Sequence, residues 1–297
     1  MGMLDPGESF DIEALGDLMK KYEMSEAGRT LMPGLPVVAR LDGKNFSNFT
    51  KGLAKPFDPR FVEAMDEVCR DLFAEFQPDA VYTQSDEITM AWRGSDEEGS
   101  GVQLPFGGRV QKLVSVLAGR ASAKFALEMV ARLPAKALSG AVPSMDCRVW
   151  QFPSPRLAAG CFMWRESDAT KNSVSMLARA HFEHRELEGV SAKARREMLL
   201  AKGVDWAALD ARLKRGSFFV RRRVERELDD ATWAKIPAAR RPPTRWVGRS
   251  EIVRVDFPPL ARMSNREQAL FEGAEPATIA QARSGPERDA AARPAVP

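Results

Sequence analysis

The chain has 297 residues, 44% of them hydrophobic, which is enough to form a substantial buried core. No apolar run approaches the roughly 20 residues that span a bilayer, and the first residues are acidic, so the sequence predicts a cytoplasmic protein without membrane segment or secretory leader. The three cysteines are widely spaced and there are only two histidines, so the sequence shows no Cys/His zinc pattern and reduced thiols are predicted.

The net charge of +3 conceals a strong asymmetry along the chain. Residues 1–105 carry 20 acidic and 10 basic side chains, whereas residues 106–297 carry 21 acidic and 34 basic ones. Either the two halves neutralise each other within the fold, or the surplus of positive charge faces an anionic partner, for which nucleic acid is the obvious choice.

The N-terminal region predicts a helix followed by a buried strand. In residues 1–34, apolar side chains recur at helical spacing before a Pro-Gly break, which predicts a helical arm. The nearly continuous apolar run 35–41 predicts a strand buried on both faces. This strand ends at Asp42, and Gly43 then permits a sharp exit into a polar loop.

The next elements complete a β-α-β-β-α-β order. Apolar residues step by three and four through 59–76, which predicts a helix with Pro59 in its first turn. Residues 81–92 predict a hairpin. A second long helix is predicted from Gly107-Gly108 to just before Pro134, and a further strand at 146–152. The predicted fold class is therefore α+β with a ferredoxin-like core.

Residues 156–260 are predicted to add helices and basic strands to this core. The predicted helices and strands are 170–188, 191–202, 217–223 and 251–256. Within 206–255, 13 basic and 6 acidic residues are interleaved with aromatics, which suits an RNA-binding face but also fits buried aromatics beneath solvated charges. The final segment, 261–297, is rich in Ala, Pro, Arg and Glu without periodicity and is predicted to be disordered.

Two carboxylates at strand ends carry the clearest chemistry. The predicted strand order places Asp42 and Asp86 side by side, and a divalent cation explains why two like charges approach each other. Oxygen ligands and scarce histidine favour Mg²⁺. Two Mg²⁺ ions roughly 3.5–4 Å apart would clamp a triphosphate for in-line attack, which is nucleotidyl transfer. Ser85 is placed to donate to a phosphate, whereas Glu87 is either an outer ligand or half of an ion pair.

Two cations, Arg109 and Lys112, are predicted at the start of the second long helix. Positive charge there opposes the helix macrodipole, so either a bound anion or a partner carboxylate must compensate for it. If the anion is the transferring phosphate, these side chains neutralise the charge that develops on its oxygens.

Taken together, these motifs resemble the tRNA-His guanylyltransferase family and its bacterial and archaeal guanylyltransferase-like relatives. The resemblance extends from about Pro36 to Trp206 and is carried by Arg40–Phe46, Ala54–Pro56 with Asp58, and Tyr82–Glu87. It implies that residues 35–155 form a polymerase-type palm. It also implies 3′-to-5′ addition of nucleotides, typically from GTP, to the 5′ end of tRNA after ATP activates the 5′ phosphate, by a homo-oligomer that is usually a tetramer.

The resemblance also implies roles for individual residues. Metal binding falls to Asp42, the Gly43 carbonyl and Asp86, with Glu87 also required for catalysis. The implied nucleotide contacts are Lys44, Asn45, Ala54, Lys55, Asp58, Ser85, Arg109 and Lys112. The candidates for tRNA contact are Asn172, Lys202, Lys214 and Arg215, together with Arg221, Arg222 and Arg223 of the basic segment.

One departure from the family pattern bears on the substrate. Eukaryotic members carry His-Ile-Asn-Asn where this chain has Thr170-Lys171-Asn172-Ser173, so one asparagine is matched. This favours template-dependent repair of 5′-truncated tRNAs over strict selection of tRNA-His. Two alternatives stay open. Another palm enzyme, such as a nucleotide cyclase, needs the same carboxylates without an RNA surface, and a non-catalytic RNA-binding protein needs only the fold.

Overall fold

The structure is a computed structural model that describes residues 12–94, 104–133 and 142–283. The last part of the segment predicted to be disordered, after residue 283, lies outside these ranges. The helices are α1 (Ile12–Ala27), α2 (Phe46–Phe49), α3 (Pro59–Phe76), α4 (Val110–Arg132), α5 (Pro155–His181), α6 (Ala192–Ala201), α7 (Ala211–Arg215), α8 (Asp230–Lys235), α9 (Arg266–Phe271) and α10 (Ile279–Arg283). The strands are β1 (Val37–Lys44), β2 (Ala80–Gln84), β3 (Glu87–Trp92), β4 (Ser144–Gln151), β5 (Ser217–Glu227) and β6 (Trp246–Val255).

The described strands form one antiparallel sheet in the order β4-β1-β3-β2-β5-β6. Because α3 follows β1 and α4 follows β3, the first four strands give the predicted β-α-β-β-α-β order. The α+β, ferredoxin-like fold is therefore confirmed. Strands β5 and β6 extend the sheet beyond β2 and are longer than predicted. Among the described helices, none has the length and apolar character needed to cross a membrane.

Helices α3 and α4 cover one face of the sheet and enclose the larger core. At one end of this core, the ring of Phe125 in α4 lies among three other phenylalanines. Its centroid is 5.1 Å from that of Phe46, 5.6 Å from Phe49 and 5.5 Å from Phe61. This aromatic cluster anchors the far half of α4 beneath the loop that follows Asp42, so it fixes the exit of β1.

Helix α5 lies on the second face of the sheet and begins earlier than predicted. The hydroxyl of Ser154 accepts a hydrogen bond from the Leu157 N–H, and Pro155 occupies the first helical position. The prediction that this helix spans 170–188 was wrong because its first half packs mainly through small residues such as Ala158 and Ala159, which give a weak periodic signal. The helix α6 was predicted correctly, whereas α1 ends at Ala27, before the predicted Pro-Gly break.

The C-terminal segment closes the second core. Leu260, Met263 and Leu270 are fully buried, and the ring of Phe271 packs against that of Phe162 with centroids 6.2 Å apart. The prediction of disorder from residue 261 was therefore wrong for residues 261–283. An extended sheet has a second apolar face that must be covered, and a few apolar residues in a polar segment are sufficient to cover it.

Candidate active site

The ends of β1 and β3 bring the predicted carboxylates together at one edge of the sheet. Asp42 lies opposite Glu87 in the strand register, and the Gly43 N–H donates to the Asp86 carbonyl at 3.1 Å. Ser85 and Asp86 form the two-residue connection between β2 and β3, with Ser85 in the left-handed conformation at φ 50°. The structure thus places Asp42, Asp86 and Glu87 in one cluster.

Gly43 makes this approach possible because it has no side chain. A Cβ atom at this position would lie 2.5 Å from the ring of Phe46 and 2.8 Å from the Cβ of Asp86. Neither neighbour is free to move, since Phe46 belongs to the aromatic cluster and Asp86 is held in the turn. The glycine therefore sets how closely the two strands' carboxylates approach.

The two carboxylates are held in an environment that disfavours their charge. Burial raises the pKa of Asp86, and the charges of Asp42 and Glu87 raise it further, against hydrogen bonds that include one with Ser85. Burial also raises the pKa of Asp42, with Glu87 and Asp146 adding to the effect and two arginines opposing it. Neither carboxylate forms an ion pair with any side chain in the described ranges. A cation bound between them would relieve this repulsion.

Glu87 takes part in an ion-pair network with α5. Arg165 donates from Nε to Glu87 at 3.1 Å, makes a second and closer contact from Nη2, and donates from Nη1 to Asp168 at 2.9 Å. The side chain of Arg165 is only 9% exposed. Of the two alternatives that the sequence left open for Glu87, the structure shows the ion pair. Arg165 was missed because it lies in the part of α5 that was not predicted to be helical.

Two cavities open beside the acidic cluster. A polar cavity of about 350 Å³ is lined by Asp42, Asp86 and Glu87 and, from α5, by Arg165, Asn172, Ser175, Met176 and Arg179. A more apolar cavity of about 300 Å³ lies between the loop after β1, α3, the end of β2 and residues 212–217. Ser85 and Asp86 line both cavities. A nucleotide whose phosphates lie at the carboxylates can therefore place its base in the apolar cavity.

The predicted nucleotide contacts in the loop after β1 divide into two groups. Ala54, Lys55 and Asp58 line the apolar cavity. Lys44 and Asn45 are exposed and line neither cavity, and the Asn45 side chain accepts a hydrogen bond from the neighbouring Asn48 at 2.7 Å.

The carboxylate of Asp58 is occupied by contacts within the loop. It accepts from the Arg60 guanidinium at 3.0 and 2.8 Å, from the Arg60 N–H at 3.0 Å and from the Ala54 N–H at 3.1 Å. These contacts cap the start of α3 and hold the loop at the cavity mouth.

We expect this Asp58 contact to make folding stability depend on pH. The hydrogen bonds from Arg60 hold the pKa of Asp58 at about 2, below the ordinary value of 3.8 for an aspartic acid. Because the folded-state pKa is lower, the stabilisation is complete above 3.8 and is lost as the pH falls through about 2. Arg60 is half exposed, so solvent screens the pair and the loss should be about 1–2 kcal/mol. The free energies of unfolding of the wild type and Asp58→Asn, measured with urea, should differ at neutral pH and converge in strong acid. A difference that does not change with pH would contradict this assignment.

Arg109 and Lys112 lie at the opposite end of the sheet from the acidic cluster. Arg109 forms an isolated β-bridge with Thr30, just before β1, and its Nε donates to the Phe106 carbonyl at 3.2 Å. Lys112 lies over the Phe106 ring, 5.5 Å from its centroid. Helix α4 runs about 22 Å from here to Phe125, and only that far half reaches the exit of β1. The prediction that these cations neutralise phosphate at the acidic pair is therefore wrong within a single chain.

The predicted tRNA contacts on α5, on α7 and directly after α6 fall into different environments. Asn172 is exposed and lines the polar cavity. Lys202 and Lys214 each donate to a backbone carbonyl, at 2.7 and 2.6 Å. Arg215 is mostly buried and donates to Glu166 at 2.9 Å. Its role is to tie α5 to the start of β5, not to face a nucleic acid.

The three consecutive arginines of β5 do not form one surface. Successive strand residues point to opposite faces, so Arg222 lies on the other side from Arg221 and Arg223. Arg221 packs over the Phe73 ring at 5.4 Å, and Arg222 pairs with Glu275 at 2.8 Å under the C-terminal segment. Of the three, only Arg223 is exposed. The pleat of the strand therefore prevents the three arginines from contacting tRNA as one surface, and tRNA contact by Arg223 stays a prediction.

The fold and the site together define a class of protein. An antiparallel ferredoxin-like sheet that presents two carboxylates from neighbouring strands beside a cavity of nucleotide size is a polymerase-type palm.

Comparison with known proteins identifies the family within this class. The family profile Thg1, tRNAHis guanylyltransferase, matches residues 16–153. A bacterial tRNA(His) guanylyltransferase-like protein in complex with ATP is 36% identical, with a TM-score of 0.64, and the match covers 69% of this chain and 88% of that one. Another such bacterial structure, in complex with GTP, is 29% identical with a TM-score of 0.63, and the match covers 84% of this chain and 94% of that one. The tRNA(His) guanylyltransferase of Schizosaccharomyces pombe is 26% identical over 71% of this chain and 82% of its own length. The chain belongs to the tRNA(His) guanylyltransferase family of nucleotidyltransferases.

Proposed function

We propose that the chain is a Mg²⁺-dependent nucleotidyltransferase that adds nucleotides, typically from GTP, to the 5′ end of tRNA in the 3′-to-5′ direction, after ATP activates the 5′ phosphate. One observation supports this above all: Asp42 and Asp86 lie side by side, without an ion-pair partner among the described residues, between a polar cavity and an apolar one. The ATP and GTP complexes of the bacterial relatives, and the tRNA in the family's name, support the choice of substrates.

The donor set fits a hard divalent cation. Asp42, Asp86 and the carbonyl of Gly43 would hold Mg²⁺, with two ions in the complete site. In the described ranges, no group of three His, Cys, Asp or Glu side chains forms a metal site by itself. Phosphate oxygens and water would therefore complete the coordination, as is usual for Mg²⁺. When bound, the metal supplies positive charge at the transferring phosphate and lowers the pKa of the attacking hydroxyl.

The chain's own residues position the substrates for in-line displacement. The apolar cavity holds the base of the nucleotide, so that its phosphates extend to the turn at Ser85. The polar cavity receives the 5′ end of the tRNA. Arg179 lines that cavity and forms no ion pair with a described residue, so it replaces Arg109 and Lys112 as the candidate for neutralising phosphate charge. The 3′-hydroxyl oxygen of the incoming nucleotide then attacks the activated 5′ phosphorus, and adenylate leaves.

The structure of the Thr170–Ser173 segment supports repair of truncated tRNAs over strict tRNA-His selection. Ser173 occupies the place of the second asparagine in the eukaryotic motif, and it is buried. Its hydroxyl donates to the Lys214 carbonyl at 3.0 Å and accepts from Trp206 Nε1 at 3.1 Å. The Ser173 side chain is therefore held by contacts within the protein, and of these two motif positions only Asn172 lines the polar cavity.

The direct test is incubation of the protein with 5′-truncated tRNAs, ATP, labelled GTP and Mg²⁺, followed by mapping of the labelled end. Label at the 5′ end of several truncated tRNAs supports the proposal, and label restricted to tRNA-His would instead favour strict guanylyltransferase specificity. A cyclic nucleotide product without labelled RNA would indicate a cyclase. Binding of tRNA with no product at all would indicate the non-catalytic alternative.

We expect the exposed Arg223 to contribute to tRNA binding by charge alone. Replacement with glutamine should weaken binding of all tRNAs to a similar extent and reduce the slope of log K against log salt by about one. The matched control is Arg120→Gln, because Arg120 lies on α4 and is already paired with Asp71 at 2.7 Å. Equal salt slopes for wild type and Arg223→Gln would assign Arg223 to the solvated surface.

A further inference from the structure

Asp66 is a buried carboxylate in the wall of the apolar cavity. It lies on α3, is 7% exposed, and its Oδ1 accepts no hydrogen bond from any residue in the described part of the chain. Buried polar groups in proteins are almost always paired, so an unpaired carboxylate oxygen in the wall of a ligand cavity calls for a donor from outside the chain. The proposed transfer chemistry does not use this residue.

The neighbours of Asp66 hold its side chain in place without donating a hydrogen bond to Oδ1. Burial raises the pKa of Asp66, while a hydrogen bond with Ser217 and the charges of Arg254 and Arg212 lower it. Ser217 and Arg212 line the same cavity. The carboxylate is thus fixed and partly compensated, which suits a group that must recognise a hydrogen-bond donor.

The cavity around Asp66 fits the base of a nucleotide. Its volume of about 300 Å³ lies within the range of small-molecule sites, and its walls include Phe57, Val62 and Met65. The same cavity reaches Asp86 at the catalytic turn. A nucleotide with its phosphates at Asp86 therefore places a flat, apolar ring between these walls, and the polar edge of that ring needs a partner.

We propose that Asp66 determines base specificity by accepting a hydrogen bond from the exocyclic amino group of a purine. This inference rests on the proposed function, because it assumes that the apolar cavity holds the base of the nucleotide substrate. Guanine presents a 2-amino group and adenine a 6-amino group. A purine without the amino group leaves the buried oxygen unpaired, and sites built to hydrogen-bond a substrate reject analogues that lack the donor.

The test measures binding of matched nucleotide pairs to the full-length protein by calorimetry. GTP is compared with ITP, which lacks the 2-amino group, and ATP with purine riboside triphosphate, which lacks the 6-amino group. We expect the wild type to prefer the amino-bearing member of at least one pair on the order of tenfold, and that pair identifies the base. In Asp66→Leu, which has a similar shape and no acceptor, this ratio should fall close to one. The control Glu67→Gln, on the surface of the same helix, should keep the wild-type ratio.

The outcomes separate this inference from the proposed function. Equal binding within both pairs by the wild type, or an undiminished ratio in Asp66→Leu, would overturn the role of Asp66 while labelled tRNA still supports nucleotide addition. No binding of any triphosphate together with no labelled tRNA would overturn the proposed function itself. If Asp66→Leu does not fold, Asp66→Ala replaces it in the same comparison, and equal binding within both pairs by the wild type would still overturn the role of Asp66.

Discussion

Asp42→Asn and Asp86→Asn are each expected to reduce nucleotide addition to tRNA on the order of a thousandfold or more. Loss of even one hydrogen-bond donor that stabilises developing charge costs roughly a hundredfold to a thousandfold in other enzymes, and loss of a carboxylate that holds Mg²⁺ should cost at least as much. The measurement is the rate of label transfer to the 5′ end at saturating Mg²⁺. Near-wild-type activity in either variant would remove this pair as the proposed metal site.

The same variants should fold at least as well as the wild type when Mg²⁺ is absent. Because the folded-state pKa of each carboxyl is raised, the folded chain holds the proton more tightly than the unfolded chain, and stability falls as pH rises from 3.8 to the higher folded value. An uncharged asparagine removes that loss at neutral pH, so the urea midpoint should rise. Asp146→Asn is the matched control. Asp146 faces Asp42 from β4 but is exposed and paired with Arg148, so its loss should change the rate much less.

Arg165→Met is expected to destabilise the fold by about 3–5 kcal/mol, because it leaves the mostly buried Glu87 without its cation. Glu87 lies opposite Asp42 in the strand register, so its uncompensated charge also increases repulsion within the acidic cluster. Urea denaturation measures the loss. A change below about 1 kcal/mol would show that solvent screens the pair as at an exposed site.

The double variant Arg165→Met/Glu87→Gln distinguishes a buried ion pair from simple loss of packing. Removing both charges is far less costly than removing one, so the second substitution should restore most of the lost stability. If the two effects add instead, Arg165 stabilises α5 through its contact with the Trp164 ring, 4.6 Å away, and not through Glu87.

The core of the fold and the acidic pair could be predicted because both depend on local patterns. Alternating or continuous apolar runs define β1 and the β2–β3 hairpin, and the order of elements then places Asp42 beside Asp86. Neither step needs knowledge of distant contacts. Ala54, Lys55 and Asp58, which the resemblance implied as nucleotide contacts, line the apolar cavity, although the hydrogen bonds that occupy Asp58 were not foreseeable.

The other site residues could not be predicted because their positions depend on where the long helices begin and end. Arg109 and Lys112 lie at the start of a helix that is 23 residues long. Whether they reach the site depends on which edge of the sheet this start lies at, and the sequence alone does not show that. Arg165 was missed for a related reason, since the start of α5 was placed too late. Arg179 lies within the predicted helix 170–188, and the sequence does not show which face of that helix borders the site. Asp66 has no sequence signal at all, because a single acidic residue on a helix usually faces solvent.

The two-residue connection between β2 and β3 makes the site sensitive to chain length more than to side-chain chemistry. Asp86 sits in that connection, and the pairing of β3 with β1 sets its position relative to Asp42. One inserted residue would either lengthen the turn and lift Asp86 from its neighbour, or shift the register and turn buried side chains of β3 to the wrong face. Insertions and deletions should therefore be excluded from this hairpin among functional relatives, even where sequence identity is low.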